Sequence, residues 1–353
     1  MKINMKQWKE NVTQSDNRFA FPIMTYVGLS LTKMNVLDVI KDGRKQSECM
    51  QALASRYSSA GFVTIMDLSV EAEAFGAQVK YSENEPPTVI GQLVPDRSAA
   101  LALKIPDIGS GRTQVYLEAA KNAADAIPDR PVFGCHIGPF SLAGRLGEMT
   151  RIFMNLISDA GMVHVLLEAC TQFLINYAKA YKAAGTQGIF IAEPAAGLIS
   201  PAQCEEFSSR YVSRIVAEVQ DDNFMVVLHN CGNTKKLVPT MLSTGAKGFH
   251  FGNAVNMMDI MPQIPEHILA FGNLDPATVF KQGTPEEIKA KTTTLLENMS
   301  GYRNFVLSSG CDIPPGTPVS GIEAFFTAVE EYNHLNYKSM LFGVAMERNN
   351  NNE

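Results

Sequence analysis

Nowhere in the 353 residues is there a long run of lysine and arginine, and the formal net charge is −6. Chains built to hold nucleic acid neutralise phosphates with a basic face, so nucleic acid is excluded as the main partner. The first residues, MKINMKQWKENV, are polar and charged and lack the apolar core of a secretory signal. No apolar run is long enough to cross a bilayer. The best of them, Phe19 to Leu31, is broken by Pro22, Thr25 and Gly28. A soluble, cytoplasmic protein is expected. Also missing is the Gly-rich fingerprint that follows an early strand in dinucleotide-binding sheets. Cysteines are few, at 49, 135, 170, 204, 231 and 311. In a reducing compartment such cysteines are free thiols or metal ligands rather than bridges.

What is present suits a large packed core. Apolar residues make up 46% of the chain and charged ones 19%, which excludes wholesale disorder. Short apolar runs alternate with helical patterns. The strand candidates are 19–26 (FAFPIMTY), 62–66, 132–136, 188–192, 225–228, 248–251, 268–272 and 304–307, the first weakened by Pro22. Helical spacing runs through 152–159 and 162–184. Ser200-Pro201 and Thr284-Pro285 open two more helices with good caps. Strand–helix alternation repeated about eight times predicts a parallel sheet closed into a (β/α)8 TIM barrel. The open doubly wound sheet is its rival. A helical extension precedes the barrel, and the Pro- and Gly-rich stretch 82–112 is expected to pass over its mouth. No linker divides the chain, so one domain is expected over 1–348, with a polar tail at 349–353.

Chemistry in such barrels sits at the C-terminal ends of the strands. Those ends carry Asp67, His136, Glu193, His229 with Cys231, His250 with Asn253, Asn273 with Asp275, and Cys311 with Asp312. In the stretch MVVLHNCGNT, an apolar run ends in His229-Asn230-Cys231. Residues at i and i+2 of extended backbone point to one side, and zinc takes imidazole nitrogen and thiolate sulfur. A catalytic zinc keeps one position open, so three protein ligands are wanted. Cys311, held between Gly310 and Pro314-Pro315-Gly316, is the third candidate. The plain alternative is that these cysteines are small apolar fillers and the histidine a hydrogen-bonded core residue. Cys49, Cys170 and Cys204 lie in helical patterns and read as packing, as does Cys135 on its strand. An open site with two thiolates suits a third, substrate thiol better than water. Its natural reaction is therefore alkyl transfer to sulfur.

Five segments, in this order and spacing, resemble the uroporphyrinogen decarboxylase superfamily over nearly the whole chain. They are MDLSVEAEAFG (66–76), FGCHIGPFSLAGRLGE (133–148), GTQGIFIAEPAAGLISPAQCEEF (185–207), FGNLDPATVFKQGTPEEI (271–288) and SSGCDIPPGTPVSGIEAF (308–325). The likeness is to its zinc-dependent corrinoid methyltransferase branch. The decarboxylases carry an arginine-rich loop for porphyrin carboxylates where this chain reads TYVGLSLTK (25–33). Bidentate arginine is the natural clamp for carboxylates, so the substitution argues against porphyrin. The resemblance implies zinc held by His229, Cys231 and Cys311, and methylcobalamin on a partner corrinoid protein as methyl donor. The acceptor would be coenzyme M, another thiol or tetrahydrofolate. Glu193 is a weak fourth ligand or proton acceptor in this reading, and otherwise a cap or paired charge. Asp67 stands where the decarboxylases keep a catalytic aspartate. Asn230, Asn273 and Asp275 are candidates to contact the corrinoid.

Three alternatives accompany this expectation. One is a demethylase acting on a methylated donor such as a methoxylated aromatic. The others are a decarboxylase and a corrinoid-binding protein without catalysis. Homo-oligomerisation is left open by the sequence.

Overall fold

The computed structural model describes residues 3–350, and of the tail expected at 349–353, residues 351–353 lie outside them. Seven of the eight apolar runs form strands of one parallel sheet. They are β1 (Phe62–Val63), β4 (Val132–Ile137), β5 (Gly188–Ala192), β6 (Met225–Asn230), β7 (Gly248–Phe251), β8 (Leu269–Leu274) and β9 (Phe305–Ser309), hydrogen-bonded in chain order. The strands β2 (Gln78–Lys80) and β3 (Thr88–Ile90) pair separately as an antiparallel hairpin. All barrel strands from β4 to β7 are buried along their full length, as runs covered on both faces must be.

The run at 19–26 is not a regular strand. It makes one parallel bridge, between Ala20 and Leu307. Pro22 has no N–H for a ladder and ends the pairing there. The segment still closes the ring. Phe21 N donates to Leu307 O (2.7 Å), Leu307 N donates to Phe19 O (3.0 Å) and Ala60 N donates to Ala20 O (2.8 Å). It is the eighth stave of a (β/α)8 barrel, held to the last strand on one side and to the approach to β1 on the other.

Alternate residues of the strands fill the barrel. Phe21, Phe133, Phe190 and Phe271 meet edge to face or tilted, with ring centroids 5.5–6.2 Å apart. Such pairs add about 0.5–1.5 kcal/mol each beyond area burial. The expected helical extension is Met5–Gln14, started by Asn4, whose side chain accepts from Gln7 N. It buries Met5 and Val12 against this interior, and Trp8 Nε1 donates to Ala60 O at 3.0 Å. The extension thereby plugs the N-terminal end of the barrel and leaves the opposite end for chemistry.

The outer helices follow their sequence signals closely. Capping boxes pair Ser200 with Gln203 and Thr284 with Glu287. The two helices read at 152–159 and 162–184 are Met149–Ser158 and Ala160–Ala183, and the Asp159 side chain accepts from Met162 N at their junction. The stretch 82–112 holds β3, the short helix Arg97–Ala102, and finally Arg112, which turns back into the protein.

Candidate metal centre

On β6 the side chains alternate: Val227 packs in the barrel interior and Leu228 in the surrounding helical layer. His229 therefore points inward again, in the top layer. It is paired in register with His250 of β7. One residue beyond the strand, Cys231 turns over the barrel mouth. Two residues beyond β9, Cys311 does the same from the other side. Its loop is tied down by the closing stave: Ile313 N donates to Ile23 O at 2.8 Å, and Thr25 N and Oγ1 both donate to Asp312.

Close approach of backbone fixes both cysteines. A Cβ on Gly252 would lie 2.4 Å from Cys231 Cα, and one on Gly310 would lie 2.6 Å from Asn253 N. Only glycine lets the loop after β7 slip between the two thiol-bearing turns.

Among the described residues, His229, Cys231 and Cys311 form the one cluster of three such side chains whose ligand atoms all lie within 4.8 Å of one another. Cys311 Sγ is 3.6 Å from His229 Nε2. A tetrahedral zinc, with bonds of about 2.3 Å to sulfur and about 2.0–2.1 Å to nitrogen, spaces such a pair about 3.6 Å apart. Two sulfurs and one imidazole are also a zinc donor set, so residues and spacing fit the ion. Contact with Cys311 and His229 lowers the pKa of the Cys231 thiol to about 4, whereas Cys231 and burial push that of Cys311 up.

The site opens onto a cavity of about 310 Å³. Cys231 and Gly232 line one side of it, with Leu68, Ile137 and Met149 among the other lining residues. The walls are apolar apart from Ser141 and Arg145, the one charged residue among those lining it. Arg145 makes no hydrogen bond or ion pair with another described residue.

Both carboxylates expected to act in chemistry are hydrogen-bonded within the protein. Glu193 is buried and accepts from Phe140 N (2.9 Å), Ser141 N (2.6 Å) and Ser141 Oγ, pinning the start of helix Pro139–Gly147. Burial raises its pKa to about 7. Asp67 accepts from Ser69 N and Oγ, from Tyr116 Oη (2.8 Å) and from Arg112 Nη1 (2.5 Å). The same guanidinium reaches Glu73 through Nε at 2.6 Å. The amide and acid side chains expected to contact the corrinoid brace backbone. Asn230 Nδ2 donates to Glu193 O and its Oδ1 accepts from Gly232 N; Asn273 Nδ2 donates to Gly252 O and Val255 O. Asp275 caps Ala277 N and Thr278 N and accepts from Asn253 Nδ2.

His136 faces away from the mouth, packs its ring toward Tyr177 and contacts Ile137 O through Nδ1. His250 stays outside the ligand cluster and bonds His229 Nδ1 at 2.8 Å. The sequence reading gave no part to Arg112, Arg145 or Ser308. Arg112 lies in a stretch taken as excursion, and Arg145 in a helix of ordinary spacing. Only the location of Ser308 near the end of β9, two strands along the sheet from His250, could have signalled it.

The family profile described as uroporphyrinogen decarboxylase (URO-D) matches residues 23–332. Methylcobamide:CoM methyltransferase MtbA of Methanosarcina acetivorans is 30% identical over 301 residues, covering 83% of this chain and 87% of that protein. A uroporphyrinogen decarboxylase of Xylella fastidiosa is 24% identical over 291 residues, covering 78% and 81%. Among solved structures, a methyltransferase from Methanosarcina mazei superposes with a TM-score of 0.83 at 23% identity, over 94% of this chain and 99% of that one.

Proposed function

The chain belongs to the uroporphyrinogen decarboxylase (URO-D) family, and from that premise we propose that it is a zinc-dependent methyltransferase. In this reading it moves a methyl group between a corrinoid carried on a partner protein and a small thiol. The observation that carries it is the convergence of His229 Nε2, Cys231 Sγ and Cys311 Sγ beside an apolar cavity. The chain's likeness to methylcobamide:CoM methyltransferases supports the same reaction class. A decarboxylase is disfavoured because TYVGLSLTK (25–33) has no arginine to clamp carboxylates.

His229, Cys231 and Cys311 would hold the ion with one position left for substrate. Zinc bound there would supply Lewis acidity that keeps an incoming thiol as thiolate, the nucleophilic form. The protein's own contribution is placement and exclusion of water. Leu68, Ile137 and Met149 line the cavity beside Cys231, and Arg145, which makes no hydrogen bond or ion pair with another described residue, offers its guanidinium to a charged tail on the thiol. The substrate sulfur donates the electron pair of the new C–S bond. The electron pair of the broken Co–C bond would leave with the corrinoid, and the thiol proton would pass to solvent.

The test is direct. Purified protein is mixed with methylcobalamin and a panel of small thiols, coenzyme M included, and the cobalamin spectrum is followed. Thiol-dependent demethylation supports the reading. Uptake of methyl groups from a methoxylated donor onto reduced cobalamin would reverse its direction. Corrinoid binding with no methyl transfer to any acceptor would leave a binding protein.

A further inference from the structure

We infer that Ser308 and His250 form a hydrogen-bond relay that fixes the tautomer of His229 and aims a lone pair on its Nε2 into the metal centre. The role as metal support rests on the zinc reading above; the tautomer assignment does not. Three contacts run in line through the barrel's top layer. Ser308 Oγ is 2.7 Å from Phe21 O, His250 Nε2 is 2.9 Å from Ser308 Oγ, and His229 Nδ1 is 2.8 Å from His250 Nδ1. All of these side chains are buried, at 1% exposure or less.

The direction of every bond follows from the first. A carbonyl oxygen only accepts, so the single hydroxyl proton of Ser308 goes to Phe21 O. Ser308 Oγ can then only accept from His250, which places a proton on His250 Nε2. A second proton on His250 Nδ1 would make an imidazolium in a buried aromatic setting, between Phe190 and Phe271, with no carboxylate bonded to it. His250 Nδ1 is therefore the acceptor, and His229 Nδ1–H the donor. In neutral His229 the remaining nitrogen, Nε2, carries a lone pair, and it is the nitrogen that faces Cys311 Sγ.

The register makes this possible. His229 lies beside His250 on the neighbouring strand, and Ser308 on β9 tops the interior column above Val306. The closing stave supplies the terminal acceptor, Phe21 O. Its irregular backbone is thereby tied to the metal site as well as to barrel closure. Ser308 and His250 touch neither the ion nor substrate; they are positioning residues. Partners of this kind fix ring orientation, and losing them weakens metal binding about 10- to 100-fold.

The experiment reads protons and zinc affinity. In the zinc-free protein with 15N-labelled histidine, two-bond couplings should show His250 protonated at Nε2 only. In the zinc-loaded protein, His229 should be protonated at Nδ1. Ser308→Ala should weaken zinc binding at least tenfold in competition with a chromophoric chelator, and Ser308→Thr should restore it. A proton on His250 Nδ1, or a Ser308→Ala protein that binds zinc as tightly as the wild type, would overturn the relay. A wild-type protein that takes up no zinc but shows His250 protonated at Nε2 would sink the zinc reading instead and leave the tautomer chain in place.

Discussion

Arg112 Nη1 lies 2.5 Å from Asp67 Oδ2, and the two side chains are 7% and 0% exposed. The guanidinium enters from the end of the excursion and is also bonded to Glu73 and Ser69. Removing one partner of a buried pair strands the other charge, at a cost of about 3–5 kcal/mol. Arg112→Ala should lose about that much in chemical denaturation. A loss under about 1 kcal/mol, the range of surface pairs, would mean the pair is solvated.

Gly252 allows the loop after β7 to pass Cys231. A methyl group there would sit 2.4 Å from Cys231 Cα and 2.5 Å from Cys231 O, and backbone cannot swing aside as a side chain can. Gly252→Ala should lower zinc content well below one per chain. Gly301, where an added Cβ has nothing within 4 Å, is the control, and Gly301→Ala should bind zinc normally. Equal zinc content in the two variants would contradict the packing described.

Burial raises the carboxyl of Glu71 to about 8, and its Oε2 has no hydrogen-bond partner among the described residues. Between its ordinary value of 4.5 and about 8, the folded state keeps a proton that the unfolded state releases. Stability from this group is therefore present at low pH and declines as pH rises through that window, by about 1.4 kcal/mol per unit at most. Glu71→Gln should flatten the decline between pH 5 and 8. Parallel wild-type and Glu71→Gln stability profiles over that range would contradict the assignment.

Much of this was legible in the sequence, for identifiable reasons. Strand ends in a barrel face one mouth, so His229, Cys231 and Cys311 could be brought together from their positions alone. The seven clean apolar runs became strands, and the one carrying Pro22 became an irregular stave. Illegible were roles that depend on what a side chain meets across the fold. For Glu193 the sequence left a chemical role and a capping role open, and the partner it bonds, the start of the helix beginning at Pro139, could not be read from it. Asn230, Asn273 and Asp275 share the strand ends with the ligands, but their short polar side chains bond backbone close by and, for Asp275, the Asn253 side chain as well. Arg112 is 45 residues from Asp67 and in a different segment; no local pattern joins them.

Arg145 is the charged residue lining the cavity beside Cys231. If it holds the tail of the acceptor, Arg145→Ala should raise KM for an anionic thiol such as coenzyme M about tenfold or more, the worth of one charge-assisted hydrogen bond. The KM for an uncharged thiol such as 2-mercaptoethanol should stay as in the wild type. An equal change for both thiols would place Arg145 in packing rather than in recognition.

The central claim is a zinc ion on three protein ligands with a fourth place for sulfur, and X-ray absorption at the zinc edge tests it most directly. The purified protein should hold one zinc per chain with two sulfurs and one imidazole nitrogen from the protein. Adding the acceptor thiol should raise the sulfur count to three, and Cys311→Ser should lower each count by one. A protein that holds no stoichiometric zinc, or whose sulfur count is unchanged by any thiol that accepts the methyl group, would contradict the account.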